Sequence, residues 1–110
     1  MLISYLISGS AQFVTTWQED GLQRYRFTFQ DVSLDNYGQD FLYAIRNFGG
    51  VSSNWQCWFD PVNGWTFDDS EVIGCAGATV IDNAVQSVTG MDATQTGFES
   101  VFIDLECSDL

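Results

Sequence analysis

The segment Gln23-Arg-Tyr-Arg-Phe-Thr-Phe-Gln30 constrains this chain more than any other, because its side chains alternate in kind without a break. Tyr25, Phe27 and Phe29 fall on one side of an extended chain, and Arg24, Arg26, Thr28 and Gln30 on the other. A period of two is the repeat of a β-strand, and an aromatic row opposite a polar row means that one face is buried. The preceding Ala11–Trp17, in which the spacing puts Phe13 and Trp17 on one face, is its natural partner across the turn-like Gln18-Glu-Asp-Gly21.

A second hairpin follows from the same reasoning. Trp55, Cys57 and Phe59 alternate with Gln56 and Trp58, and the strand ends at Asp60-Pro-Val-Asn-Gly64. In that turn Pro61 sets φ and Asn63-Gly64 tolerates positive φ. Trp65 to Phe67 begins the return strand, with a further turn at Asp68-Asp69-Ser70 before Glu71 to Cys75. Residues 2–7 and Phe98 to Glu106 also read as strands, the latter with Val101, Ile103 and Leu105 inward.

Two segments fit both periods. Between Ser33 and Gly50, a helix would carry Leu34, Tyr37, Phe41, Ile45 and Phe48 as its stripe, whereas a strand over Asp40–Asn47 would align Phe41, Tyr43 and Ile45. Gly38 inside such a helix costs roughly 1 kcal/mol, which favours the strand. In Thr79–Val88, Ile81, Ala84, Val85 and Val88 recur at helical spacing. The abundance of Val, Thr and aromatic residues predicts an all-β domain, a small sandwich or distorted barrel of seven to eight short strands. The alternative is α+β, with helices near 33–48 and 79–89.

With 110 residues, 17 of them Phe, Tyr or Trp, residues 1–110 make one domain with one aromatic core. Fifteen acids stand against three arginines, Arg24, Arg26 and Arg46, giving a net charge of −12. That charge repels a phosphate backbone, so nucleic-acid binding is excluded as an expectation. No run approaches the length of a membrane span, and Met1–Ala11 lacks the basic start of a secretion signal. Eleven of the 15 acids are Asp and Lys is absent, a surface suited to concentrated salt and thus to a halophilic source.

Missing residue types close most catalytic routes. Without histidine there is no Ser-His-Asp or Cys-His arrangement, and without lysine no Schiff base or phosphate-loop lysine. Paired carboxylates remain, Asp60 with Asp68 or Asp69 beside Trp58 and Trp65, but a chain this short offers little from which to build a hydrolytic cleft. The expectation is no enzyme. Asp60, Asn63, Asp68 and Asp69, with Glu71, are oxygen ligands of the kind calcium takes, though without EF-hand spacing; no other cofactor is expected. Three cysteines leave two readings: a Cys57–Cys75 disulfide with Cys107 over, or three reduced, buried thiols.

Alternation turns Trp58 away from the face of Trp55, and Arg24 and Arg26 away from the aromatic row. With Trp65, these are the expected partner or ligand contacts, since exposed Trp and Arg anchor interfaces. The function expected is a non-enzymatic structural subunit of a larger assembly, such as a virion capsid, decoration or tail component. Its partners would be other protein subunits in a homo-oligomer or capsid lattice. The alternative is a carbohydrate-binding module, calcium-assisted, at a cell surface or outside the cell.

Overall fold

In the computed structural model, residues 10–30 and 38–107 are described. The expected strand at residues 2–7, and Leu34 and Tyr37 of the alternative helix, lie outside the described residues. Strand β1 (Ser10–Glu19) turns through Asp20 and Gly21, both at positive φ, into β2 (Leu22–Gln30), a two-residue hairpin of the expected kind. After α1 (Gln39–Asn47) come β3 (Ser53–Asp60) and β4 (Gly64–Glu71), then α2 (Cys75–Thr89), α3 (Ala93–Thr96) and α4 (Glu99–Asp104).

The four strands form one antiparallel sheet in the order β1-β2-β4-β3. Phe27 pairs with Phe67 across the centre, their rings stacked at 5.6 Å. Tyr25, Phe29 and Phe67 share this face with Ala11 and Phe13. Onto it pack Phe41, Ala44 and Ile45 from α1, Ala78, Ile81, Ala84 and Val85 from α2, and Phe98, Val101 and Phe102 at the C-terminal end. The helices therefore lie on one side of the sheet.

This is an α+β fold, and the all-β sandwich or barrel expected above is corrected. The strand proposed for 40–47 is α1: Phe41, Ala44 and Ile45 are buried at helical spacing, while Tyr43, which a strand would turn inward, is 55% exposed. The strand proposed for Phe98 to Glu106 is the α4 region, where Phe98, Val101 and Phe102 are buried and Ile103 is 65% exposed. Aromatic and β-branched content reads as strand only while packing does not decide otherwise. Both segments use those residues to face an aromatic sheet from a helix.

Two further corrections concern strands. The turn expected at Asp68-Asp69-Ser70 is the middle of β4, and all three residues are buried. Asp68 and Ser70 stay extended here because their side chains bond to neighbouring strands, Asp68 to Arg24 and Arg26 and Ser70 to Asn54, rather than to their own backbone. In β1, a register shift between Phe13 and Thr15 breaks the period of two. Phe13 packs edge-on against Phe27 and Phe98, and Trp17 pairs with Arg24 on the opposite face. One extra residue in a bulge reverses every side chain beyond it.

The β3–β4 turn is held as expected at Gly64, whose φ is +84° and where an added Cβ would lie 2.5 Å from the Phe29 carbonyl oxygen. The disulfide joins Cys75, at the start of α2, to Cys107, beyond α4. It is not the Cys57–Cys75 bond weighed above, and Cys57 is a free, half-buried thiol whose burial pushes its pKa up.

The bond spans a sequence separation of 32. Replacing both cysteines by serine is expected to lower stability by about 3 to 4 kcal/mol through loop entropy of the unfolded chain. A urea titration of the double variant checks this, and an unmoved midpoint would contradict it.

Candidate functional site

The sheet face away from the helices is built of cross-strand rows. Trp17, Arg24, Ser70 and Ser53 form one row, Thr15, Arg26, Asp68 and Gln56 the next, and Gln12, Thr28, Thr66 and Trp58 the third. At about 4.8 Å between neighbouring strands, each row spans roughly 14 Å.

Asp68 organises the first two rows. Fully buried on the central strand, its Oδ1 accepts from Arg26 Nε at 2.7 Å and its Oδ2 from Arg26 Nη2 at 2.8 Å and Arg24 Nε at 3.0 Å. Arg24 Nη1 also donates to Glu19 at 2.9 Å, and Trp17 Nε1 donates to the same oxygen at 3.2 Å. The Arg26 guanidinium lies 5.1 Å from the Trp17 ring centroid and 5.2 Å from that of Trp58, and Arg24 lies 5.3 Å from Trp17. Cation–π attraction and bidentate pairing thus fix the same planar groups.

The electrostatic result is local balance. Burial pulls the Arg24 guanidinium down, but its bonds to Glu19 and Asp68 outweigh this and leave its pKa raised. The bond to Asp68 raises Arg26. These aromatic and guanidinium groups form a layer one side chain thick, beneath which Asp68 and Ser70 are sealed from solvent.

Where that layer stops, the small side chains of Thr28 and Thr66 floor a trough of about 460 Å³. Trp58 and Arg26 bound it on one side, Gln12 and Val14 on another, and Asp60 with Asn63 close the hairpin end. Asp60 is held in place: its Oδ1 accepts from Val62 N–H at 2.8 Å and its Oδ2 from Asn63 Nδ2 at 3.0 Å. The Val62 N–H is the largest cause holding its carboxyl below the usual range.

Of the contacts expected from the sequence, Trp58, Arg24 and Arg26 share this face, and Asp60 and Asn63 reach its edge. Trp65 does not. It pairs with Phe59 on the helix side, their rings 5.4 Å apart, so Trp58 and Trp65 present no common surface. The acids weighed for calcium or hydrolysis also separate: Asp60 is in the turn, Asp68 is under two arginines and Asp69 points to the helices. No group of three or more Asp, Glu, Cys or His side chains placed to hold a metal occurs among the described residues.

Sequence reasoning missed Trp17, because the bulge is invisible to spacing, and weighed Asp68 only as a turn acid for calcium or hydrolysis, not as the partner of the arginines, because Asp-Asp-Ser reads as a turn. The available signal was charge: two arginines alternating on one strand need an anion on a neighbour. Comparisons with protein-family models, curated proteins and solved structures find no match for this chain. No helix among the described residues is long and apolar enough to cross a membrane.

Asp68→Ala removes the anion shared by both guanidiniums. Breaking a buried pair from one side is expected to cost about 3 to 5 kcal/mol, and Trp17 and Trp58 fluorescence should shift as their cations come loose. Denaturation followed by fluorescence measures both, and a variant as stable as the parent would contradict the role given to Asp68.

Proposed function

We propose that this chain is a non-enzymatic structural subunit of a larger assembly, joined to a second copy of itself through the open face of its sheet. The observation that carries this reading is the charge of that face. Arg24 and Arg26 balance Glu19 and Asp68, so this cluster sums to zero, and the formal charge of −12 lies outside it, with Asp60 alone of the named acids at the edge of the face. Two like-charged copies meet with least repulsion where neither carries net charge.

Composition and order favour the same surface. Trp and Arg are the residues most enriched among those that dominate interface energies. Here they are already locked by Asp68, so little side-chain entropy is lost on docking. The non-enzymatic part rests on the absence of His and Lys and on the separation of Asp60, Asp68 and Asp69.

One observation favours a second reading, a carbohydrate-binding module. The trough offers a positioned indole ring beside neutral or balanced hydrogen-bonding groups, Gln12, Thr28, Thr66 and Asn63, with Asp60 to discourage anions. Such a site suits an uncharged, hydroxyl-rich ring.

Light scattering on the purified chain at low salt and at about 3 M salt separates the two, since screening removes the repulsion of like copies. The assembly reading expects an oligomer that gains population with salt and reverts to monomer in a Trp17→Ala/Trp58→Ala variant. A monomer under both conditions overturns it. The carbohydrate reading expects a monomer whose Trp fluorescence responds to neutral oligosaccharides and loses that response in Trp58→Ala.

A further inference from the structure

On the helix-facing side of β4, Asp69 and Glu71 sit two residues apart, both buried. Glu71 ties the α1–β3 loop to the sheet, its Oε1 accepting from Val51 N–H at 2.8 Å and its Oε2 from Ser52 N–H at 3.2 Å. The loop is closely fitted, because a Cβ at Gly50 would stand 2.9 Å from Glu71 Oε2. It also runs through left-handed backbone at a non-glycine residue, Ser52 (φ 52°), and β3 does so again just inside its start at Asn54 (φ 56°). Such backbone persists only where the surroundings hold it.

Neither oxygen of Asp69, nor the Ser52 hydroxyl that faces it, makes a hydrogen bond of ordinary geometry among the described residues. A buried carboxylate without donors is strongly disfavoured, whereas a neutral carboxyl can give its proton to Glu71. The groups that face it come from every neighbouring element. Tyr25 is its cross-strand partner on β2, and the Ser52 hydroxyl of the loop and, from a distance, Arg46 of α1 act on it in favour of ionisation. Gly77 and Val80 of α2 meet the Glu71 side and its loop without charge. Burial first, and Glu71 second, push the Asp69 carboxyl up to about 10. Burial and Glu71 likewise push the Tyr25 hydroxyl up to about 12.

We propose that Asp69 and Glu71 form a proton-gated latch: one proton held between the two carboxyls keeps the Gly50–Ser52 loop closed, and opening of the loop releases that proton to solvent. The closed form then holds one proton more than the open form wherever pH lies between the ordinary Asp range near 4 and the raised value. Closure is strongest below that range and weakens as pH rises through it, the open population growing about tenfold per pH unit. The loop feeds β3, which carries Trp58, so the latch couples pH to the edge of the open face.

Amide hydrogen exchange of Val51 and Ser52 between about pH 6 and 8 tests this. Base-catalysed exchange alone rises tenfold per pH unit, so the latch doubles the logarithmic slope at these two amides, while they exchange faster than core amides such as that of Phe67. Asp69→Asn keeps a donor to Glu71 but cannot ionise, and should return the slope to that of catalysis alone. Glu71→Gln should speed exchange of both amides throughout the range and also remove the extra slope. A wild-type slope equal to catalysis alone, an extra slope surviving in Asp69→Asn, or loop amides exchanging only together with Phe67 would each overturn the latch. The wild-type slope decides even where a variant fails to fold.

Discussion

Pairing of β2 with β4, with Phe27 opposite Phe67, sets the positions of nearly everything else in this protein. The stacked rings bring an apolar surface to the centre of the sheet, and the same register places Arg26 opposite Asp68 and Tyr25 opposite Asp69 on its two sides. A slip by one residue would turn the arginines into the aromatic core and the rings into solvent. Hydrophobic burial and ion pairing therefore select the same register independently, the kind of agreement between levels that gives a sequence one structure.

Consecutive acids on β4 meet opposite fates. Asp68 lies under two guanidiniums with both oxygens bonded, and its burial is compensated by charge. Asp69, one residue on, enters an aromatic core where a proton takes the place of a cation. The strand thus carries a charge-balanced surface layer on one side and a proton-sharing pair on the other. Their common cause is the pleat, which sends neighbours in sequence to different solvents.

The candidate site was partly legible before the fold. Alternation put Trp58, Arg24 and Arg26 on an outward face, and the Asp60–Gly64 turn was recognisable from Pro61 and Asn63-Gly64. Trp17 was misplaced because one bulged residue cannot be seen in a spacing count, and Trp65 was included because its proximity in sequence says nothing of its face. In the C-terminal segment, burial of Phe98, Val101 and Phe102 follows a helical spacing. The neighbouring Asp92 caps α3 reciprocally with Gln95. Both signals are present in the sequence, but period-two alternation of Val101, Ile103 and Leu105 alone decided the reading of that segment as a strand.

What the sequence determined by itself is local: the phase of β2, the two hairpins, the absence of histidine and lysine chemistry, and the charge that any partner must tolerate. These depend on neighbours within a few residues or on composition, and they survive any arrangement of the rest. The tertiary structure alone decided that 39–47 and 99–104 are helices, that Cys75 pairs with Cys107, and that Asp68 and Asp69 are strand residues with opposite surroundings. Each of those outcomes turns on a contact between segments far apart in the chain. Local preferences differ by less than about 1 kcal/mol there, and burial against a distant partner contributes more.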